Sequence, residues 1–473
     1  MHTQVQRPWP RVIPLLRGVL FLLLFIGGFA MVFVADFADK VESQGLQILA
    51  GMGLVKAVAM VIGGLAALYL LMRHAEITLA LFFLIGLIKG DERLAATPVD
   101  LTVAVGAALL LSVCARLIVN KQELALPREY LLYLPLLAMM ILSLAYTPDL
   151  AGGLDKTMRF LCLTSIGIVS PFVLFDSEKK LRIFFLAMTL GGLVIAINSL
   201  AMLGGSDRLV SPSGLNTELG AASAISMIVI WSLWFPEWPL LKRAALYPVL
   251  GVLGVALIGS GGRFANVTAG LCLVLGTLFC RKLFTDVAVI GGLGVLLLPL
   301  IWIPQASFDY LHSLMHPPQA MGTRSDLMTL GMKMFSEHPF IGVGIQGFRF
   351  LSPNPLTYNY PHNLILELGS ELGLLAAISF LAIAAYAFRE IWWQLRDPNQ
   401  SGNSCVLTVF LLLIFVFLDA MVSGDINDLR FMWFVFGLPY VLRTLQAQRT
   451  VIVLNRAVPD LAYASESSAR HGS

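Results

Sequence analysis

Charge is what this sequence has least of: 29 acidic and 32 basic side chains amount to 13% of its 473 residues, against 58% hydrophobic and a mean hydropathy of +0.81. So few polar groups cannot cover a soluble surface, which excludes a cytosolic enzyme, a secreted domain and a disordered scaffold. An excess of one sign is missing too. The net charge of +3 is spread in short clusters, so no nucleic-acid-binding patch is present. Cysteine is equally scarce. Cys114, Cys162, Cys272, Cys280 and Cys405 all sit in apolar segments without metal-ligand spacing and read as small hydrophobes, so they imply neither a disulfide framework nor a redox compartment.

What is there is apolar length. A bilayer core takes about 20 apolar residues per spanning helix, and fourteen such runs recur: 12–35, 54–72, 75–89, 98–118, 130–146, 157–175, 181–203, 218–235, 243–259, 264–280, 285–303, 362–388, 404–422 and 429–446. The fold expected is all-α, a polytopic membrane helix bundle of about 14 transmembrane helices (range 12–14), and the 41 glycines suit close helix packing in lipid. The run 12–35 is too long for a signal-peptide core and no small-residue cleavage site follows it, so it is expected to stay as a signal anchor. Lysine and arginine resist translocation, and with the N-terminus inside, most of them fall in cytoplasmic turns: Arg73, Arg116, Lys179, Lys180, Arg182, Lys242, Arg243, Arg281, Lys282, Arg389, Arg396, Arg443 and Arg449 among them. Outer turns such as 36–42, 147–155 and 423–428 are mainly acidic. Both termini are therefore expected in the cytoplasm. The tail 447–473, which ends in SESSARHGS, reads as disordered.

This topology divides the chain into helices 1–11 (1–303), one large outer loop (304–361), helices 12–14 (362–446) and the tail. Loops as long as 304–361 are uncommon unless functional. Ser325 precedes an apolar-periodic stretch, LMTLGMKMF, which predicts an amphipathic surface helix capped by Ser325. Gly342-Val343-Gly344-Ile345-Gln346-Gly347 then predicts a tight turn. Four of the seven histidines, His312, His316, His338 and His362, fall in this loop or at its end. Pro361 predicts a helix start with His362 and Asn363 in its first turn. Glu367 and Glu371 follow inside an apolar helix, where buried carboxylates need a partner or a purpose.

The runs HPFIGVGIQGF (338–348) and YPHNLILELGSELG (360–373) resemble the signature of the O-antigen ligase and O-antigen polymerase superfamily of bacterial membrane glycosyltransferases. DRLVSPSGLNTELG (207–220) and GSGGRFANVTAG (259–270) resemble that family's outer-face segments, which place an arginine at a helix mouth. The resemblance covers roughly 145–390. The first stretch lacks the usual Asn-Pro-Asn run and keeps Asn216, and in the second Phe264 follows Arg263 where glycine is commoner. Arg324, in Gly-Thr-Arg, matches an arginine the family often has there. Ligases, polymerases and protein O-oligosaccharyltransferases share this signature.

The chemistry follows from residue types. Arg208, Arg263 and His362 all fall at outer helix ends in this topology. Arginine offers a planar fork of donors suited to phosphate, and a lipid-linked sugar donor holds its diphosphate at this depth. Two arginines would stabilise the charge that grows on the diphosphate as the sugar departs. The sugar hydroxyl of the acceptor is a poor nucleophile and needs a base with a pKa near 7, for which His362 is the candidate. No Asp-x-Asp motif stands in an outer loop, so the reaction is expected to be metal-independent, without cofactor, and inverting. The partners expected are a polyprenyl (undecaprenyl) diphosphate-linked glycan, an acceptor that is lipid A-core or a growing glycan, and membrane lipids, at the periplasmic face of a bacterial inner membrane.

Other readings stand beside these. Arg208 and Arg263 also fit interfacial anchors, and Arg324, Arg349 and Arg430 fit anchors or loop ion pairs better than a site role. Asn363 fits a sugar ligand or a backbone cap. Glu371 lies about 13.5 Å deeper than His362 and on the opposite helix face, so it is expected to pair with an arginine or to bond within the bundle rather than to orient His362. A ligase is favoured over a polymerase. A transporter or flippase would show inverted repeats and charges near mid-membrane, and a docking subunit would have no use for the histidine and arginines.

Overall fold

The computed structural model describes residues 54–88, 101–118, 126–201, 209–214, 216–297, 320–353, 360–397, 403–422 and 424–449. Among them no strand forms, and the helices are α1 (Leu54–Arg73), α2 (Ala75–Leu84), α3 (Leu101–Ile118), α4 (Tyr133–Ser143), α5 (Leu150–Leu174), α6 (Glu178–Ala201), α7 (Asn216–Trp234), α8 (Leu246–Gly259), α9 (Arg263–Phe279), α10 (Phe284–Leu297), α11 (Ala320–Glu337), α12 (Leu364–Leu372), α13 (Leu374–Arg396), α14 (Ser404–Ala420) and α15 (430–449). Helix occupies thirteen of the fourteen apolar runs, and the run 12–35 lies outside the described residues. Among the described residues six helices are long and apolar enough to cross a membrane, or up to eight if each of two bent pairs counts as one span. Those pairs are Ile62–Arg73 with Ala75–Leu87, bent by 104°, and Arg263–Phe279 with Arg281–Gly292, bent by 114°. The protein is a multi-pass membrane helix bundle.

Two expectations about helix ends need correcting. The run 362–388 is two helices, because Gly373 between α12 and α13 takes φ 84° and packs its Cα against the Phe340 carbonyl, where a side chain has no room. Ser325 does not cap α11: the helix starts at Ala320 and carries Ser325 on an exposed face.

The bundle has two chemically different ends. At one end Arg182 bridges Glu178 (2.8 Å) and Glu237 (2.5 Å), Arg449 meets Glu178 at 2.7 Å, and Arg443 meets Glu390 at 2.8 Å. Arg243 there pairs with the fully buried Asp286 at 2.8 Å, and Tyr247 donates to the same carboxylate. These are the basic residues that the sequence places in the cytoplasm. Between the ends the core is aromatic: Trp433 of α15 is fully buried and meets the rings of Tyr133, Phe160, Phe380 and Phe436 at 5.7–6.0 Å. Small residues allow close approach, as where Gly192 of α6 lies against Ser226 and the Ala222 carbonyl of α7. The opposite end gathers the first residues of α5, α7, α9, α12, α13 and α15 and the last of α8 and α14.

Candidate active site

Arg263 is the first residue of α9 and follows the turn Ser260-Gly261-Gly262. Gly261 takes φ 66°, a conformation that only glycine adopts without strain. Ser260 Oγ accepts from the Gly262 N–H (3.2 Å), and Asn266 Nδ2 donates to the Gly262 carbonyl (3.0 Å), so the helix mouth is held from both sides. Asn216 opens α7 nearby and accepts from the Thr217 N–H at 2.9 Å. The starts of both helices border a cleft of about 1580 Å³, whose other wall is one face of α11. Asn216, Arg263 and Arg324, three of the residues singled out in the sequence, line it together, and Lys333, Leu366 and Asp419 join them. Helix N-termini carry partial positive charge, so the fixed field of the cleft favours an anion. Arg208 lies outside the described residues. Its neighbour Leu209 is described, and the Leu209 N–H donates to the Gly259 carbonyl (3.0 Å), four residues before Arg263.

His362 is not among the residues that line the cleft, although Leu366, one helical turn further on, is. It precedes α12 rather than standing in its first turn, because it takes φ 55° and Asn363 is the N-cap, accepting from the Leu366 N–H at 3.0 Å. Asn363 Nδ2 donates to the Met421 carbonyl at 3.2 Å, so one end of that amide caps α12 and the other ties it to the end of α14. A non-glycine residue held at positive φ is a strained feature of the kind that clusters at functional sites. The His362 ring is half-buried and lies edge-on to Tyr360 at 4.5 Å, and its Nδ1 is enclosed without a hydrogen bond among the described residues. Burial, and then the positive charge of Arg324, push the His362 pKa below its ordinary value. Both causes favour the neutral imidazole, the form in which a histidine can accept a proton.

Beneath this turn Lys156 of α5 stands between Glu367 (2.7 Å) and Glu371 (2.8 Å), all three almost wholly buried. Glu371 therefore pairs with a lysine and not with an arginine, and no contact joins it to His362 among the described residues. The Ile426 N–H approaches Glu367 Oε1 (3.4 Å), and Asn427 donates to the Lys156 carbonyl (2.9 Å), which ties in the turn before α15. Sequence reasoning missed Lys156, though two carboxylates four residues apart on one helix face called for a cation opposite them.

The glycine-rich turn of the HPFIGVGIQGF run is present as expected, with Gly342 at φ 69°, Gly344 at φ 92° and Gln346 at φ 65°. Its function is structural. The Val343 and Gly344 N–H groups donate to the Ser370 (2.8 Å) and Glu371 (3.0 Å) carbonyls, which the break at Gly373 leaves without helical partners, and Leu374 N–H donates to Pro339 O (2.8 Å). Tyr146 hydroxyl donates to the Ile341 carbonyl and Thr147 Oγ1 to the Ile345 carbonyl (2.5 Å), fixing the turn to the start of α5. The two signature runs are thus one construction: the first clamps the helix whose N-terminus presents His362.

At one end the helical bundle opens into a cleft lined by Arg263, Arg324 and Lys333, and the His362 turn lies one helical turn before its lining residue Leu366. Residues 213–381 match the family model described as O-antigen ligase. The matched segment contains Asn216, Arg263, Arg324, His362, Asn363 and Glu371. No curated protein matches the chain.

Proposed function

We propose that this protein is an O-antigen ligase-type glycosyltransferase, which moves a glycan from a polyprenyl (undecaprenyl) diphosphate donor to a sugar hydroxyl of lipid A-core. The observation that carries the reading is that Arg263 and Arg324 line one cleft at the starts of α7 and α9. The donor diphosphate sits between these arginines, with Arg208 expected from the sequence to bind it as well, and its tail lies in the bilayer. His362 takes the proton from the acceptor hydroxyl. The hydroxyl oxygen attacks the anomeric carbon from the side opposite the diphosphate, the carbon–oxygen bond to phosphate breaks with its electron pair, and the configuration inverts. The two guanidinium groups stabilise the diphosphate as it gains charge, so no divalent cation is required. The site faces the periplasm from a bacterial inner membrane, in a bundle of about 14 spans with both termini cytoplasmic; the collection of basic residues at the far end of the bundle supports that orientation.

The test is transfer by the purified full chain in nanodiscs, given lipid-linked donor and lipid A-core, in excess EDTA. Product formation is expected. Loss of activity that magnesium or manganese restores would overturn the metal-independent mechanism. Deletion in the native host separates the two polymer-handling alternatives on a lipopolysaccharide gel: loss of all capped species with lipid-linked polymer accumulating is the ligase outcome, and a single-repeat band is the polymerase outcome.

A further inference from the structure

The residues that line the cleft include three cations, Arg263, Arg324 and Lys333, and one carboxylate, Asp419. That carboxylate stands on the last turn of α14, after the run VLTVFLLLIFVFL. Its position is costly on two counts. The C-terminal end of a helix carries partial negative charge and repels an anion, and an ionisable side chain on an apolar membrane helix marks a function unless it is paired. Among the described residues it has neither a hydrogen bond nor an ion pair, whereas the buried Asp286 at the other end of the bundle has both.

We propose that Asp419 is the acceptor-binding residue of the cleft, with its carboxylate accepting hydrogen bonds from adjacent hydroxyls of a neutral sugar and so setting which hydroxyl is offered for transfer. This rests on the transferase reading above and deepens it. A diphosphate is repelled by Asp419 and belongs with the arginines. A carboxylate has two oxygens that only accept, which matches a vicinal diol, a group that donates twice over a short span. Space is sufficient for both substrates, since ligand sites ordinarily take roughly 300–1,000 Å³ and this cleft holds about 1580 Å³. The chain also ties this residue to the base: two residues on, the Met421 carbonyl accepts from Asn363, the neighbour of His362. An acceptor sugar held by Asp419 therefore lies on the side of the cleft nearest the histidine turn, and the cations remain for the donor.

Binding and kinetics of the full chain in nanodiscs test this together. Core oligosaccharide freed of its lipid is titrated calorimetrically into the protein without donor, for the wild type, Asp419→Asn, Asp419→Ala and the exposed control Asp155→Asn. The wild type and the control are expected to bind, and both Asp419 variants to bind at least about ten-fold more weakly, the size of a lost hydrogen bond to a charged group. With donor present, the acceptor KM should rise by a similar factor while the donor KM stays within about two-fold. No binding of the oligosaccharide by the wild type, equal binding by all four proteins, or a donor KM that rises as much as the acceptor KM would overturn the proposal. Acceptor binding that depends on Asp419 in a protein that shows no transfer from the lipid-linked donor would uphold this site and sink the transferase reading.

Discussion

Lys156 and Glu367 meet at 2.7 Å inside the bundle, five residues along the chain from His362, and Lys156 reaches Glu371 from the same position at 2.8 Å. One cation thus fixes two successive turns of α12, the helix that follows directly on His362 and its N-cap Asn363 and ends at Gly373. Helix position here is held by charge at a depth where neither carboxylate has water to fall back on.

That arrangement predicts an asymmetry between breaking the cluster and replacing it. Lys156→Met leaves two carboxylates without their cation and should cost about 3–5 kcal/mol, read as a lower melting temperature in detergent. The triple change Lys156→Met, Glu367→Gln, Glu371→Gln removes the uncompensated charge and should recover most of the loss. A single variant as stable as the wild type would mean that the cluster does not hold α12.

Gly373 supplies a second expectation. At φ 84° a side chain is strained, and its Cβ would run into the Phe340 carbonyl. Gly373→Ala should therefore both lower stability and displace the clamp that the Gly342–Gly344 turn makes on α12, with transfer falling by more than ten-fold. Gly251→Ala has open space around it in α8 and should leave both properties unchanged. Equal effects at the two glycines would remove the argument for the clamp.

How far this was legible beforehand depended on the kind of interaction. Apolar runs mark helices in lipid because every backbone group must bond within its own segment, so where helices lie was readable, though their ends were not: α5 starts at Leu150, seven residues before the run 157–175. The short pairing motifs were readable too, since Arg263 and Asn216 stand at helix starts where the family places polar groups. The partner of Glu371 was not. A lysine 215 residues away is chosen by packing, and local periodicity carries no record of that choice. Asp419 was missed for a related reason: on the sequence it ends an apolar run like any other, and only the folded chain sets it among cations. The break at Gly373 lay hidden in an unbroken apolar pattern, where a glycine at positive φ and one at helical φ look alike.

The pH dependence of transfer should report His362. Its pKa is lowered by burial and by Arg324, so the neutral base persists to a lower pH than a free imidazole would allow. Activity should rise with pH through a single deprotonation below the ordinary value of about 6.5, and Arg324→Gln should move that limb upward by removing the neighbouring positive charge. His362→Ala should abolish transfer while expression and melting temperature stay unchanged. Wild-type turnover by that variant would dismiss the histidine as base.

The arginines separate binding of a diphosphate from simple anchoring at a membrane surface. A guanidinium meets phosphate through two parallel N–H donors, and an ammonium at the same place keeps the charge but loses the fork. If Arg263 and Arg324 hold the donor, Arg263→Lys and Arg324→Lys should each lower kcat/KM for the donor by about ten-fold or more, and Arg208→Lys should do the same. The effect should lie mostly in kcat, because the stabilisation is largest once the departing diphosphate has gained its extra charge. Arg349 is the comparison. It is exposed on the short helix Gly347–Leu351, away from the cleft lining, and Arg349→Lys should change turnover by less than about two-fold. An anchoring role predicts the opposite pattern: lysine snorkels to the interface as well as arginine does, so all four substitutions would be mild and alike. A uniform, small effect would therefore return these residues to the membrane surface and leave the diphosphate without its site.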